Sequence, residues 1–239
     1  MTDFVLVHGF GGGGWCWRQC ADLMAAAGHR VFTPTLSGVG DRAHLLGRHI
    51  TLSTHVADVA SLIEWEELNE VVLVGHSYGG AVVSGAADRV RERLATLVYL
   101  DAFVLGDGDS VLDLQPPERR EFYRRQAAEN GFGWLIPPPP SSFWKLARAV
   151  DVERKDRLAT PHPLACLEER LVMHHTGAPP YRRAYIWARG FTPSPFQALA
   201  ARAREADDWL YREIDSGHMT MLDDAPETAR LLIDVATCK

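Results

Sequence analysis

The residues from Glu70 to Gly80, EVVLVGHSYGG, place one serine between two glycines directly after a run of apolar residues. Ser77 lies at the centre of a Gly-x-Ser-x-Gly pattern with Gly75 and Gly79, which is typical of a tight turn from a strand into a helix. A serine at such a turn can act as a nucleophile if a histidine removes its proton and a carboxylate orients that histidine. Because the apolar strand, the turn and a helix of small residues occur together, we predict that Ser77 is a nucleophile.

A glycine-rich stretch, FVLVHGFGGGGWCW, follows the first predicted strand. Glycines there allow backbone N–H groups to approach a developing oxyanion without obstruction by side chains. We predict that the N–H groups of Phe10 and Tyr78 form this oxyanion hole. The stretch also matches Gly-x-Gly-x-x-Gly through Gly9, Gly11 and Gly14, but the next strand, VFTPTLSG, has no acidic residue to bind a ribose. We therefore predict no dinucleotide site.

The predicted base is His218, in the stretch IDSGHMTMLDDAPE. It lies in a glycine-containing loop between the last predicted strand and the C-terminal helix, where a side chain can project over the edge of a parallel sheet. His8 and His76 flank glycines in the two motifs above and are expected to structure those loops. His174 and His175 lie in a separate segment. No paired spacing of cysteines and histidines supports a metal site, so neither a metal nor a cofactor is expected.

Four aspartates are candidates for the acid that orients His218. Asp207 and Asp208 follow a predicted helix and should face solvent, whereas Asp215 should make a local structural contact. Asp101 ends the strand LVYLDAF, which follows the helix of the nucleophile. Catalytic groups of an α/β sheet converge at the C-terminal ends of its strands, so we predict that Asp101 is the acid. A buried aspartate that only caps a loop is the alternative, since such a carboxylate needs a partner.

The elements that must position these residues alternate along the chain. Short apolar runs rich in β-branched residues predict strands at 4–9, 29–35, 70–76, 95–103, 183–189 and 209–215. Helices are predicted at 15–27, 53–65, 79–93, 195–206 and 225–236. This alternation predicts an α/β fold with a mostly parallel sheet of about six strands flanked by helices.

The alternation stops between Val104 and Pro180, where the chain contains a charged helical stretch and the proline run IPPPPSS. We predict a core formed by 1–103 and 181–239 and a helical cap at 104–180 above the active site, because long insertions in compact domains are usually functional. A decorative insertion is the alternative. The aromatic residues of the 104–180 segment, such as Phe122, Tyr123 and Trp144, could either contact a hydrophobic substrate group or pack between the helices.

The composition excludes several classes of protein. The chain has 239 residues, 46% of them hydrophobic, and a net charge of −6 with both signs interspersed, so no surface for nucleic acid or a membrane is expected. The first residues do not resemble a signal peptide and no segment is long enough to span a membrane, so we expect a cytoplasmic location. Small molecules are the expected partners, and a homodimer is left open. The cysteines do not resemble a disulfide framework and are expected to be reduced: Cys16, Cys20, Cys166 and Cys238.

Four motifs in order, LVHG…GGWCW, AAAGHRV, VVLVGHSYGG and GHMTMLDDAPE, resemble the α/β-hydrolase superfamily over nearly the whole chain. More narrowly, they resemble the group of plant methylesterases, hydroxynitrile lyases and related bacterial esterases. The resemblance implies Ser77 as nucleophile, His218 as base and the N–H groups of Phe10 and Tyr78 as the oxyanion hole. In most of this group the acid follows the strand matching RAYIWAR, but here that loop, GFTPSPF, has no carboxylate. Some superfamily members take the acid from the strand that here ends at Asp101.

The resemblance implies a cofactor-independent esterase that cleaves a carboxylic ester of a small, moderately hydrophobic substrate through an acyl-enzyme on Ser77. Two alternatives stay open, namely a lyase or other non-hydrolytic reaction on the same scaffold and a ligand-binding pseudo-hydrolase. Hydroxynitrile lyases carry a lysine after the histidine and a threonine beside the oxyanion loop, whereas this sequence has Met219 and Gly9. These two positions favour hydrolysis over a lyase reaction. Measured turnover of an ester would distinguish an enzyme from a ligand-binding pseudo-hydrolase.

Overall fold

The computed structural model describes residues 1–144 and 146–238, and within them the chain forms eight strands and ten α-helices. Strands β1 to β8 are Asp3–Val7, Arg30–Phe32, Val71–His76, Leu94–Leu100, Leu135–Ile136, His162–Pro163, Arg182–Ala188 and Trp209–Ile214. Helices α1 to α10 are Arg18–Ala26, Leu52–Trp65, Gly79–Arg89, Pro117–Asn130, Ser141–Trp144, Ala149–Leu158, Ala165–Glu168, Gln197–Glu205, Thr220–Asp223 and Ala225–Thr237. Short 3₁₀ helices lie at Gly14–Trp17, Gly40–Leu45 and Arg91–Arg93.

Six strands form one sheet in the order β2-β1-β3-β4-β7-β8, and all their pairings are parallel. Strand β3 is central, with β1 on one side and β4 on the other. Each of its six residues is buried, as expected for a parallel strand covered by helices on both faces. The predicted α/β fold, with six parallel strands flanked by helices, is therefore confirmed.

The sheet separates two hydrophobic clusters. Val5 and Val7 of β1 face the cluster that includes residues of α2, α3 and the 104–180 segment, whereas Phe4 and Leu6 face the cluster with α1 and α10. Neighbouring side chains of a strand point to opposite faces, so one apolar run supplies both layers. Each strand of the sheet overlaps one predicted run, although β1, β4 and β7 begin one residue before it.

The C-terminal end of α3 differs from the prediction because one residue leaves the helical conformation. The helix predicted over 79–93 ends at Arg89, because Val90 has φ −116° and ψ 31°, and a 3₁₀ turn follows. At the start of α10, the carboxylate of Asp224 accepts the N–H of Glu227 at 3.1 Å and so caps the helix. None of the described helices has the length and apolar character that a membrane span requires.

The 104–180 segment contains helices α4 to α7 together with the antiparallel pair β5 and β6, which the sequence did not predict. Each of these strands has two residues, too few to show an alternating pattern. The segment contacts the glycine-rich loop directly, since the N–H of Thr160 donates to the carbonyl of Gly11 at 3.0 Å. It therefore lies next to the end of β1.

Close packing of α3 on β3 requires glycine at position 75. A Cβ added there would lie 2.5 Å from Cγ2 of Val83 and 2.6 Å from the carbonyl oxygen of Gly79. We expect Gly75→Ala to lower the free energy of unfolding by about 1–3 kcal/mol, because helix and strand must move apart. Urea denaturation measures this loss. Gly106→Ala is the control, because its Cβ would meet only Oδ2 of Asp109 at 3.4 Å. Equal losses in the two variants would contradict this account.

Candidate active site

Ser77 occupies a strained turn between β3 and α3. Its φ of 56° lies in the left-handed region, which residues with side chains rarely adopt. Backbone hydrogen bonds hold the turn to the neighbouring strand: the N–H of Ser77 donates to the carbonyl of Leu100 at 3.4 Å, and the N–H of Phe103 donates to the carbonyl of Ser77 at 3.2 Å. A Cβ added at Gly79 would lie 2.7 Å from the carbonyl of His8, so the motif's second glycine is required by close approach.

Asp101 and His218 form a buried hydrogen bond beside this turn. Asp101 directly follows β4, with a φ of 43°, and its Oδ2 lies 2.6 Å from Nδ1 of His218. The side chains are 0% and 1% exposed, respectively. We assign the proton to Nδ1, because an ionised carboxylate can only accept a hydrogen bond. Nε2 then carries a lone pair, and it makes no hydrogen bond to any residue that the structure describes.

Burial opposes charge on both members of this pair. It raises the pKa of the Asp101 carboxyl, and it lowers the pKa of His218 from 6.5 to about 3. The 2.6 Å hydrogen bond acts in the opposite sense, since a carboxylate beside the ring favours the imidazolium. The balance leaves the ring neutral near neutral pH, which is the form that can accept a proton.

Three aromatic rings surround the imidazole of His218. The ring of Trp144 stacks on it with centroids 4.9 Å apart, and the rings of Phe191 and Phe196 lie at 4.8 and 5.3 Å. The two phenylalanines belong to the loop GFTPSPF, and the sequence prediction assigned them no role. The presence of two aromatic residues in this short loop was the signal that could have predicted its packing role. These rings fix the plane of the imidazole and exclude water from it.

The N–H groups of Phe10 and Tyr78 make no hydrogen bond to any described residue. The loop that carries Phe10 touches the serine, because a Cβ added at Gly9 would lie 2.9 Å from Cβ of Ser77. Tyr78 is held from below, where its hydroxyl lies 2.8 Å from Nδ1 of His55. Two unpaired N–H donors beside a serine can stabilise an oxyanion.

A cavity of about 610 Å³ opens at Ser77, Phe10 and Tyr78. This volume lies in the range of small-molecule sites, roughly 300–1,000 Å³. Much of its wall is aromatic: Phe103, Phe122, Tyr123, Phe143, Phe191 and Phe196. A much smaller recess of about 20 Å³ is lined by both Ser77 and His218, so the two residues border the same space.

Three buried residues near Tyr78 have the side-chain types that bind metals. The ligand atoms of His55, His162 and Cys166 lie within 4.8 Å of one another. Both nitrogens of His55 already bond to protein, to the hydroxyl of Tyr78 at 2.8 Å and the carbonyl of Ser37 at 2.9 Å. Burial also raises the pKa of the Cys166 thiol to about 12, which opposes the thiolate that a metal needs. The trio therefore fits a hydrogen-bonded support for Tyr78 better than a metal site. The residues considered for a metal from the sequence form no such group among the described residues: Cys16, Cys20, His174 and His175.

The other candidate acids lie at the surface, and two of them pair with arginines. The side chain of Asp215 is 78% exposed and pairs with Arg189 at 2.5 Å. Asp208 pairs with Arg183, and Asp207 is exposed. Asp101 is thus the one predicted acid that the structure brings to His218.

Comparisons with known proteins find similar chains. Residues 4–231 match the model of the alpha/beta hydrolase family. A carbendazim hydrolyzing esterase of Nocardioides sp. (strain SG-4G) is 42% identical over 97% of this chain and 98% of that protein. Methylesterase 3 of Arabidopsis thaliana is 25% identical over 97% of this chain and 95% of its own. Among solved structures, an extracellular alpha/beta-hydrolase from a Paenibacillus species superimposes with a TM-score of 0.88 at 24% identity, covering 100% of both chains.

Replacing Asp101 by asparagine tests its proposed role. The amide keeps the size of the side chain but can donate to Nδ1, which favours the tautomer with a proton on Nε2. That tautomer cannot accept the proton of Ser77. The corresponding change in a well-studied serine protease lowers kcat by about 10⁴, and we expect a loss of about 10² to 10⁴ here. Steady-state kinetics on an aryl ester, beside a thermal melt, measures it.

Matched controls are Asp207→Asn, Asp208→Asn and Asp215→Asn, which should each lower kcat by less than about tenfold, as is usual for surface substitutions. Near-wild-type kcat in Asp101→Asn, with loss in one of the controls, would move the role of the acid to that control residue. Full activity in all four variants would mean that Ser77 and His218 act as a dyad.

Proposed function

The chain belongs to the alpha/beta hydrolase family, and we propose that it is a serine esterase with Ser77 as nucleophile, His218 as base and Asp101 as the orienting acid. The observation that carries this proposal is the buried 2.6 Å hydrogen bond between Asp101 and His218 beside the turn of Ser77. The 42% identity with an esterase over almost the whole of both chains supports ester hydrolysis as the reaction.

The proposed reaction has two stages. Oγ of Ser77 attacks the ester carbonyl while Nε2 of His218 takes its proton, and the resulting oxyanion accepts hydrogen bonds from the N–H groups of Phe10 and Tyr78. His218 then protonates the leaving alcohol, and the acyl group stays on Ser77. Water attacks this acyl-enzyme with His218 again as base, which releases the carboxylic acid and restores the serine.

The 104–180 segment acts in this proposal as a cap that shapes the substrate cavity. It supplies Phe122, Tyr123 and Phe143 to the wall, so a small, moderately hydrophobic acyl or alcohol group suits the site. Carbendazim, the compound in the name of the Nocardioides relative, belongs in a first screen with p-nitrophenyl and aryl esters of varied acyl length. Met219 lines the recess at His218 and has no proton to donate, which favours hydrolysis over a lyase reaction.

Ser77→Ala should abolish esterase activity and leave the fold intact, because the hydroxyl makes no hydrogen bond to a described residue. We expect kcat to fall by more than about 10³, the scale seen when a serine nucleophile is removed. A fluorophosphonate probe should label the wild-type protein at Ser77 and leave the variant unlabelled. Labelling of another residue, or kcat above a tenth of the wild-type value, would remove Ser77 from this role.

The pH dependence of kcat/KM should report His218. Only the neutral ring accepts a proton, so activity is present above its pKa and lost as the pH falls through it. Because burial lowers this pKa below 6.5, the midpoint of the acid limb should lie below pH 6.5. A pH profile measured with a p-nitrophenyl ester checks this. A midpoint above 6.5 would mean that the Asp101 carboxylate outweighs burial.

A further inference from the structure

The cavity at Ser77 has a charged side chain in its described lining that the proposed ester hydrolysis does not use. Among the described residues that line it, Arg119 is the only one with an ionised side chain at neutral pH. The rest of the wall consists of aromatic, aliphatic, proline and neutral polar side chains. An isolated cation in such a wall is the kind of polar group that selects and orients a ligand.

Arg119 lies on the face of α4 that points into the cavity. Residues 115, 119, 122, 123 and 126 line it, and this spacing of three and four residues follows one face of a helix. Phe122 and the facing Phe143 are 38% and 37% exposed, whereas Ser77 is 6% exposed. Arg119 therefore stands near the mouth of the cavity, and Ser77 lies deep inside it.

The guanidinium of Arg119 makes no hydrogen bond or ion pair with a described residue, unlike those of Arg120 and Arg124. Arg124 pairs with Glu168 at 3.0 Å, and Arg120 donates to the carbonyl of Gln115 at 2.8 Å. Arg119 instead lies beside two aromatic rings, with its guanidinium carbon 5.8 Å from the centre of Phe122 and 5.4 Å from that of Phe143. Such contacts orient the planar group and leave its N–H donors available.

A neutral amide, Gln115, also lines the cavity just before α4 begins. The residue is 4% exposed, lines the cavity and makes no side-chain hydrogen bond to a described residue. Arg119 also lies in the first turn of α4, where the positive end of the helix dipole makes a cation unfavourable. A bound anion would accept from the guanidinium of Arg119 and would also be stabilised by the helix end.

We propose that the cavity takes esters that also carry a free, ionised carboxylate, which Arg119 binds at the mouth. One guanidinium matches the charge and the planar fork of one carboxylate. A carboxylate at the mouth keeps part of its hydration, so the cost of burying it is limited, while the apolar spacer and the ester reach Ser77. The inference rests on the proposed esterase function of Ser77.

The test compares two ester series of equal shape and different charge. One series consists of monomethyl esters of linear dicarboxylic acids, and the other has a primary carboxamide in place of the free carboxylate. We expect wild-type kcat/KM to be higher for the carboxylate at the best chain length by about tenfold, within the energy of a hydrogen bond to a charged group. This preference should weaken as salt is added, because the group at the mouth is partly solvated.

Arg119→Gln should remove the preference mainly through KM, since the contact is made in both the bound substrate and the transition state. Arg119→Lys should keep part of it, because the charge remains but the fork is lost. Arg125→Gln is the matched control, an exposed arginine of the same helix that does not line the cavity, and it should keep the full preference. Thermal melts exclude misfolding.

Equal kcat/KM for carboxylate and amide in the wild type, or an equal preference in Arg119→Gln and Arg125→Gln, would overturn the proposal and leave Arg119 as a packing residue. Calorimetric titration of Ser77→Ala with both series separates this outcome from failure of the esterase function. Tighter binding of the carboxylate that depends on Arg119, without turnover in the wild type, would support the anion site and refute the esterase.

Discussion

The buried contact between Asp101 and His218 constrains the rest of the site. A carboxylate with no exposed surface costs several kcal/mol unless a donor pairs with it, so the loop after β8 has to bring His218 to the end of β4. A second bond holds the loop in place, because Nε2 of His76 lies 2.9 Å from the carbonyl oxygen of His218. His76 directly precedes Ser77. The backbone of the histidine loop is thus attached to the turn that carries the serine.

Placing the carboxylate on β4 changes what the loop after β7 can do. That loop has no need to supply an acid, and it packs Phe191 and Phe196 against the imidazole instead. The rings remove water from one side of the base and form part of the cavity wall. The same apolar surroundings lower the pKa of His218 and keep the ring neutral. The loop after β7 can therefore be aromatic because Asp101, after β4, supplies the carboxylate that contacts His218.

Local sequence patterns predict the strands and the turn at Ser77 well. They predict contacts between residues distant in sequence poorly. The six strands follow from apolar β-branched runs, and the turn at Ser77 follows from glycines whose space α3 needs. By contrast, the hydrogen bond from Tyr78 to His55 and the β5–β6 pair join residues far apart in sequence without any repeating pattern. The placement of Asp101 beside His218 was predictable because it depends on strand order, which parallel α/β topology restricts.

In the proposed mechanism, chemistry and specificity are supplied by different parts of the chain. The serine, aspartate and histidine follow the C-terminal ends of β3, β4 and β8. The 104–180 segment supplies most of the described cavity wall. That wall has its own supports: Nζ of Lys155 donates to the carbonyl of Pro139 at 2.5 Å, and the N–H of Ser141 donates to Asp156 at 3.1 Å. Burial lowers the pKa of Lys155, because removing the ammonium group from water disfavours its charged form. None of these supports involves the strands that precede Ser77, Asp101 and His218, so substitutions on the α4 side of the wall should change which ester fits without moving these residues. The rings of Trp144, Phe191 and Phe196 are the exception, because they also pack on His218.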